Sequence, residues 1–174
     1  MKHWRYALLI IPVLMVAAAL YLKSGGGVPQ LAVRDLAQVR IKIHAPYNEA
    51  ANADADVDAA FARAKVSGKR VLIDLGGNWC PDCKILANVM NLPDLKPWLE
   101  AHYEIVMVDV GRFDRNLQIP ARFGITQRLA GVPTILVATP EGRLVNGEDT
   151  STLANATTMK PQVIADWLAQ WVGK

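Results

Sequence analysis

Cysteine is scarce in this chain: 174 residues contain two, Cys80 and Cys83. Two cannot build the disulfide framework of a small secreted scaffold. Nor can they complete a structural zinc site alone, because such a site takes four ligands. Histidine is nearly as sparse. His3, His44 and His102 are scattered and have no His-x-x-x-His spacing, so no metal site is read from them. Net charge is missing from most of the chain. The first 24 residues hold Lys2, Arg5 and Lys23 and no acid, and the remaining 150 carry 16 charges of each sign. A nucleic-acid-binding body needs a basic patch or stripe, so a nucleic-acid partner is excluded and the formal +3 belongs to one short end. Internal repeats and low-complexity tracts are absent, and the length left after that end suits one core rather than two.

That end is the first feature present. Tyr6 to Leu22 is a 17-residue stretch without charge, with Lys2 and Arg5 before it and Lys23 after. As a helix, Trp4 to Leu22 would rise roughly 28 Å, near the hydrocarbon thickness of a bilayer. Trp4, Tyr6 and Tyr21 stand near its ends, where amphipathic rings favour the interface. The early positive charges favour a cytoplasmic N-terminus with the body exported. Two readings follow: a retained signal anchor, or a signal peptide cleaved at the Ala17-x-Ala19 pattern. The domain is then inner-membrane anchored and faces the periplasm, or it is periplasmic or secreted after cleavage. Gly25-Gly26-Gly27 reads as a flexible tether. The chain divides into residues 1–24 (anchor or signal peptide), 25–50 (linker and candidate first strand) and 51–174 (one domain).

Val39, Ile41 and Ile43 alternate with Arg40, Lys42 and His44, which predicts a strand with one wet face. Val57, Ala60, Phe61 and Ala64 recur at helical spacing over 54–67, with Asp54 or Asp56 as cap and Gly68 as stop. Val71 to Leu75 reads as a doubly buried strand. A helix is expected from about Cys80 to Met90 and a short one over 94–101. A buried strand follows over 105–110, then a short helix over 117–123. Thr134 to Ala138 is a strand, and Arg143 to Val145 is its hairpin partner beyond a Pro140-Glu141-Gly142 turn. Pro161 opens a last helix to Val172, with Trp167 and Trp171 on its apolar stripe. Strands alternating with helices, then a hairpin, predict an α/β domain with a mixed central sheet and helices on both faces.

The chemistry sits at Asn78-Trp79-Cys80-Pro81-Asp82-Cys83-Lys84, between the first buried strand and the helix after it. Cys-x-x-Cys in that setting reads as redox chemistry. Free backbone N–H groups and the positive dipole end at a helix N-terminus stabilise a thiolate. A three-residue offset puts both sulfurs on one helix face, within disulfide reach. Cys80, on the lip, is the expected nucleophile toward a substrate disulfide, and Cys83 the group that resolves the mixed disulfide.

These residues resemble the thioredoxin superfamily. Trp79-Cys80-Pro81-Asp82-Cys83 is similar to its Trp-Cys-x-x-Cys centre. Asp74, six residues before Cys80, matches the buried acid that assists proton transfer from the second cysteine. Gly131-Val132-Pro133-Thr134 is similar to the loop whose cis-proline faces the disulfide and aligns substrate backbone. The resemblance spans residues 54–172 and implies the thioredoxin fold. The run from Val108-Asp109-Val110-Gly111 through Asn116-Leu117 to Gly131-Val132-Pro133 resembles, more narrowly, exported bacterial family members with a Trp-Cys-Pro-Asp-Cys centre. It implies Cys80, Cys83 and Asp74 as catalytic residues, and Trp79, Pro81, Asp82, Val132 and Pro133 as the substrate-contacting surface. The redox-active disulfide is itself the centre, and no organic cofactor is implied. The implied partners are protein thiols and disulfides, with a transmembrane thiol relay as electron donor.

Asp82 stands where thioredoxin has proline and strongly oxidising relatives have histidine. Its charge beside a Cys80 thiolate disfavours the thiolate, which predicts a reductant with a potential well below about −120 mV; Lys84 offsets part of this. Other functions remain open on the residues alone: copper delivery through two thiolates, or a chaperone-like groove near Pro133. Blander roles are also open. Asp74 would merely accept local hydrogen bonds, Pro133 would be an ordinary trans proline, and Trp79 would be packing. Arg112, Arg115 and Arg122 would be solvated charge rather than a site for an acidic substrate. Residues 146–160 would be either a substrate-selecting loop or a plain connection.

Overall fold

The structure, a computed structural model, describes residues 27–174. The expected N-terminal span lies outside them. Among the described residues no helix is long and apolar enough to cross a membrane.

In chain order the elements are α1 (Ala53–Ser67), β1 (Arg70–Gly76), α2 (Pro81–Met90), α3 (Lys96–His102), β2 (Tyr103–Asp109), α4 (Gln118–Ala121), β3 (Thr134–Ala138) and α5 (Pro161–Ala169). β1 is central: β2 pairs with it in parallel and β3 antiparallel, giving the order β2-β1-β3. A parallel pair needs a crossover, and α2 with α3 supplies it. Both faces of β1 are covered, so Val71 to Gly76 are all buried, as the continuous apolar run requires. Alternation along the strands sorts the core into two clusters. Leu72, Ile135 and Val137 meet Leu86, Val89 and Met90 of α2 and Ile164, Trp167 and Leu168 of α5. Val71, Ile73, Leu75 and Leu136 meet Val57, Ala60 and Ala64 of α1 and Ile119 of α4. This is the thioredoxin-like α/β arrangement, a mixed sheet of three strands with helices on both faces.

Three expectations are corrected. Residues 39–43 are not a strand. They follow a one-turn 3-10 helix, Leu36–Gln38, closed by an Asp35/Gln38 capping box. Val39 and Ile41 pack onto the α2 side of the core, and the Ile43 N–H donates to Asn88 Oδ1 at 2.7 Å. The alternation records packing on a helix, with a side chain taking the place of a ladder. The described part of the expected 25–50 linker also docks onto the core: Leu31 is 1% exposed, and its N–H donates to Gln162 Oε1 of α5 at 2.9 Å. The hairpin partner of β3 shrinks to a single bridge, Ala138 to Leu144. Asn146 replaces it. Its Oδ1 accepts from the Val137 N–H and its Nδ2 donates to the Ile135 carbonyl, each at 2.8 Å, so a buried amide side chain closes the edge of β3. Smaller differences concern caps. α1 is capped by Asn52, whose side chain accepts from Ala55 N–H, while Asp54 and Asp56 lie in the first turn. Gly68 ends that helix at φ 73°, where a side chain would be strained.

Candidate active site

β1 runs directly into Gly76-Gly77-Asn78-Trp79 and then α2. Cys80 is the N-cap of α2, with extended backbone (φ −85°, ψ 120°), and its Sγ accepts from the Cys83 N–H at 3.1 Å. Pro81 occupies the first turn, where its missing N–H costs nothing. Cys80 and Cys83 are joined as a disulfide, with Cα atoms 5.3 Å apart. Cys83 is fully buried and Cys80 is 2% exposed. The Val132 carbonyl oxygen lies 3.3 Å from Cys80 Sγ, and the Val132–Pro133 peptide bond is cis. The structure therefore brings together the loop before β3 and the start of α2, 52 residues apart in sequence.

Trp79 is 39% exposed beside the pair. Its Nε1 donates to the Gly111 carbonyl at 2.7 Å, the Arg112 guanidinium lies 4.8 Å from the ring centroid, and Phe113 meets it edge-on. This holds the indole as a fixed wall. Asp82 engages the segment 152–158. Its Oδ1 accepts from both the Thr157 N–H (2.8 Å) and Thr157 Oγ1–H (2.7 Å). The stretch 146–160 forms two 3-10 helices, Gly147–Asp149 and Thr152–Thr158, and the second is pinned to the active-site helix.

Asp74, on β1, is fully buried. Its Oδ1 accepts from the Tyr47 hydroxyl at 2.8 Å, and its Oδ2 has no hydrogen-bond partner. Burial pushes its carboxyl up to about 7, although the Tyr47 hydrogen bond pulls the other way. Tyr47, 2% exposed, has its phenol pushed far above the ordinary range by burial first and by the Asp74 charge second. Asn78 clamps it in place: Asn78 Oδ1 accepts from the Tyr47 N–H (3.0 Å), and Nδ2 donates to the Tyr47 carbonyl and to Glu49 Oε1 (2.9 Å each). Gly76 explains how tightly this closes. A Cβ there would stand 2.9 Å from Cys83 Sγ and nearer still to the Tyr47 hydroxyl, so only glycine fits.

Tyr47 and Thr157 carry no local pattern that marks them in sequence, and Asn78, although it opens the cysteine run, shows its clamping role only through Tyr47. Each is recognisable only by its partner far along the chain. The remaining sequence candidates separate. Arg122 pairs with Asp54 and Asp58 of α1, and Arg115 with Asp109 at 3.2 Å, whereas Arg112 lies over the Trp79 ring. Trp167 and Trp171 are core residues, and Trp98 stacks on His102. Among the described residues no cluster of three or more His, Cys, Asp or Glu side chains could hold a metal ion.

A disulfide capping a helix, one sulfur buried near a carboxyl that titrates near neutrality, is equipped for thiol–disulfide exchange. Comparison with known proteins agrees. The thioredoxin-like family model matches residues 51–140. The chain is 37% identical over 91 residues to thiol:disulfide interchange protein DsbD 1 of Pseudomonas aeruginosa, which covers 51% of this chain but only 14% of that protein. It is 32% identical over 80 residues to a thioredoxin of Alicyclobacillus acidocaldarius, covering 46% of this chain and 68% of that one. The solved disulphide isomerase of Xylella fastidiosa Temecula1 has a TM-score of 0.66 at 35% identity, covering 72% of this chain and 95% of that one.

Proposed function

The chain belongs to the thioredoxin-like family, and on that premise we propose that it is a thiol–disulfide oxidoreductase that reduces disulfides of exported proteins through Cys80 and Cys83. In the reduced protein the Cys80 thiolate attacks one sulfur of a substrate disulfide. That S–S bond breaks, a mixed disulfide forms, and the other substrate sulfur leaves as a thiolate. Cys83 then gives its proton to Asp74 and attacks Cys80 Sγ. The second substrate thiolate leaves, and the protein is left as the Cys80–Cys83 disulfide, two electrons poorer. The two sulfurs carry the electrons, so the reading calls for no organic cofactor or metal.

The observation that carries this reading is the pairing of the helix-capping disulfide with the buried acid Asp74 behind it. The Val132 carbonyl beside Cys80 and the half-exposed Trp79 support a surface for extended substrate backbone, to which Pro81, Asp82, Val132 and Pro133 would contribute. The uncharged stretch after Lys2 and Arg5 supports export, with the domain in the periplasm and either tethered or released. An exported reductant is oxidised by its surroundings and needs a donor. Likeness to part of a protein named for thiol:disulfide interchange supports a membrane thiol relay in that role.

The test is disulfide reduction by the full chain, comparing it with Cys80→Ser and Cys83→Ser. Both variants should lose turnover, and Cys83→Ser should accumulate a mixed disulfide whose trapped partner identifies the substrate. Full activity in both variants would sink the reading.

A further inference from the structure

We propose that Tyr47, held by Asn78, is a positioning residue for the redox centre: its hydroxyl orients Asp74 so that the free oxygen, Oδ2, is the one presented to the Cys83 side. This rests on the proposed exchange chemistry and adds to it a residue outside the Trp79–Cys83 motif.

The geometry argues it in four steps. First, among the described residues the Tyr47 hydroxyl is the one hydrogen-bond donor to the Asp74 carboxyl, on Oδ1 at 2.8 Å, and Oδ2 has no partner. A buried carboxyl oxygen with no partner is costly, and it persists here where a proton acceptor is useful. Second, the same hydroxyl and Cys83 Sγ flank the single point that a Gly76 Cβ would occupy. Phenol and sulfur are therefore packed around one glycine, and the phenol in turn holds the Asp74 carboxyl. Third, Tyr47 does not reach this place by belonging to a regular element. It lies in an irregular segment, and Asn78 grips both its backbone N–H and its backbone carbonyl. Asn78 is two residues before Cys80, so the loop that presents the disulfide also seats the tyrosine. Fourth, Tyr47 is 2% exposed and roofs Asp74 from solvent.

The titratable groups facing this pocket can be named. Tyr47 comes from the segment before α1 and Cys83 from α2. Asp109 acts on Tyr47 from the end of β2 and is itself paired with Arg115. The hydrogen bond from Tyr47 stabilises the charged carboxylate and so lowers the proton affinity that burial raises. Without it, Asp74 would hold its proton to higher pH and be a poorer acceptor for the Cys83 proton near neutrality.

The experiment has two arms, both on the full chain. In the first, the Asp74 side-chain carboxyl is titrated by carbon NMR in the disulfide form, with Asp74→Asn assigning the signal. The midpoint is expected near 7, and about one pH unit higher in Tyr47→Phe, the size of one hydrogen bond to a charged group. Tyr47→Phe keeps the ring that fills the space, so the fold is retained. Asn78→Ala reaches the same bond from outside the core and should shift the midpoint upward by less. In the second arm, the pH profile of disulfide reduction should show a limb rising with pH that moves upward in Tyr47→Phe. The limb should vanish in Asp74→Asn, and adding Tyr47→Phe to that variant should change nothing more. An unmoved midpoint in Tyr47→Phe overturns the proposal, and so does an equal effect of Tyr47→Phe in the Asp74→Asn background. An unmoved midpoint in Asn78→Ala overturns the clamp. Absence of any cysteine-dependent turnover defeats the exchange chemistry instead, and the NMR arm still decides the role of Tyr47.

Discussion

Asp74 answers to stability and to chemistry with opposite preferences. Its folded carboxyl holds a proton up to about pH 7, against an ordinary value of 3.8. Between those values the folded state binds more protons than the unfolded one, so stability falls as pH rises through the window. Below about pH 4 both states are protonated and the penalty is absent; above about pH 7 it is complete. Asp74→Asn keeps an acceptor for Tyr47 and removes the charge. It should therefore be more stable than the parent at pH 8, by an amount on the order of a few kcal/mol, and little different at pH 4. Urea unfolding of the disulfide forms at the two pH values measures this. A variant equally or less stable at pH 8 would mean that the carboxylate is not buried uncompensated. The same residue was legible in sequence as an acid six places before Cys80, but its hydrogen-bond partner was not. Tyr47 lies 27 residues away in a stretch with no periodicity.

At the scale of elements, the site is one strand end, one helix start and two loops. On the proposed function the first turn of α2 bears on the redox balance, because the Cys83 N–H donates to Cys80 Sγ and a helix N-terminus favours the thiolate. Asp82 adds negative charge to that turn, although Thr157 engages one of its oxygens. Asp82→Asn should ease thiolate formation and stabilise the reduced form, raising the reduction potential by about 10–20 mV, the equivalent of one charge at a helix end. Equilibration with glutathione reads it, and an unchanged or more negative potential would count against Asp82 as the source of reducing character. The stretch 146–160 shows why loops resisted reading. Asn146 and Thr157 satisfy the edge of β3 and the start of α2 through side chains, and such partners leave no periodic trace. The false strand at 39–43 has the same origin. Its alternation is genuine, but the surface that it answers is helix α2.

For the molecule as a whole, the charge asymmetry and the core belong to different parts. Among the described residues one core cluster begins at Val28, Leu31 and Val33, packed on the α5 side, and the other at Tyr47. Removing residues 1–26 should leave the urea midpoint of the domain unchanged. Removing residues 1–32, which takes Leu31 away, should cost at least about 2 kcal/mol, the usual loss for a buried leucine. Matched losses from both truncations would place part of the stability in the first 26 residues.

Neighbouring residues carry the i,i+3 cysteine pair at a helix start and the doubly buried strand before it, because the relevant forces act within a turn or along a strand. The roles of Asp74 and of the Pro133 loop came from family resemblance, not from local pattern. Which distant groups meet them is settled by the folded chain. Tyr47 reaches Asp74 because Asn78 holds its backbone, Gly76 leaves room for both the hydroxyl and Cys83, and Thr157 donates to the Asp82 carboxylate. Those contacts join residues tens of positions apart, and only closure of the sheet and its helices brings them together.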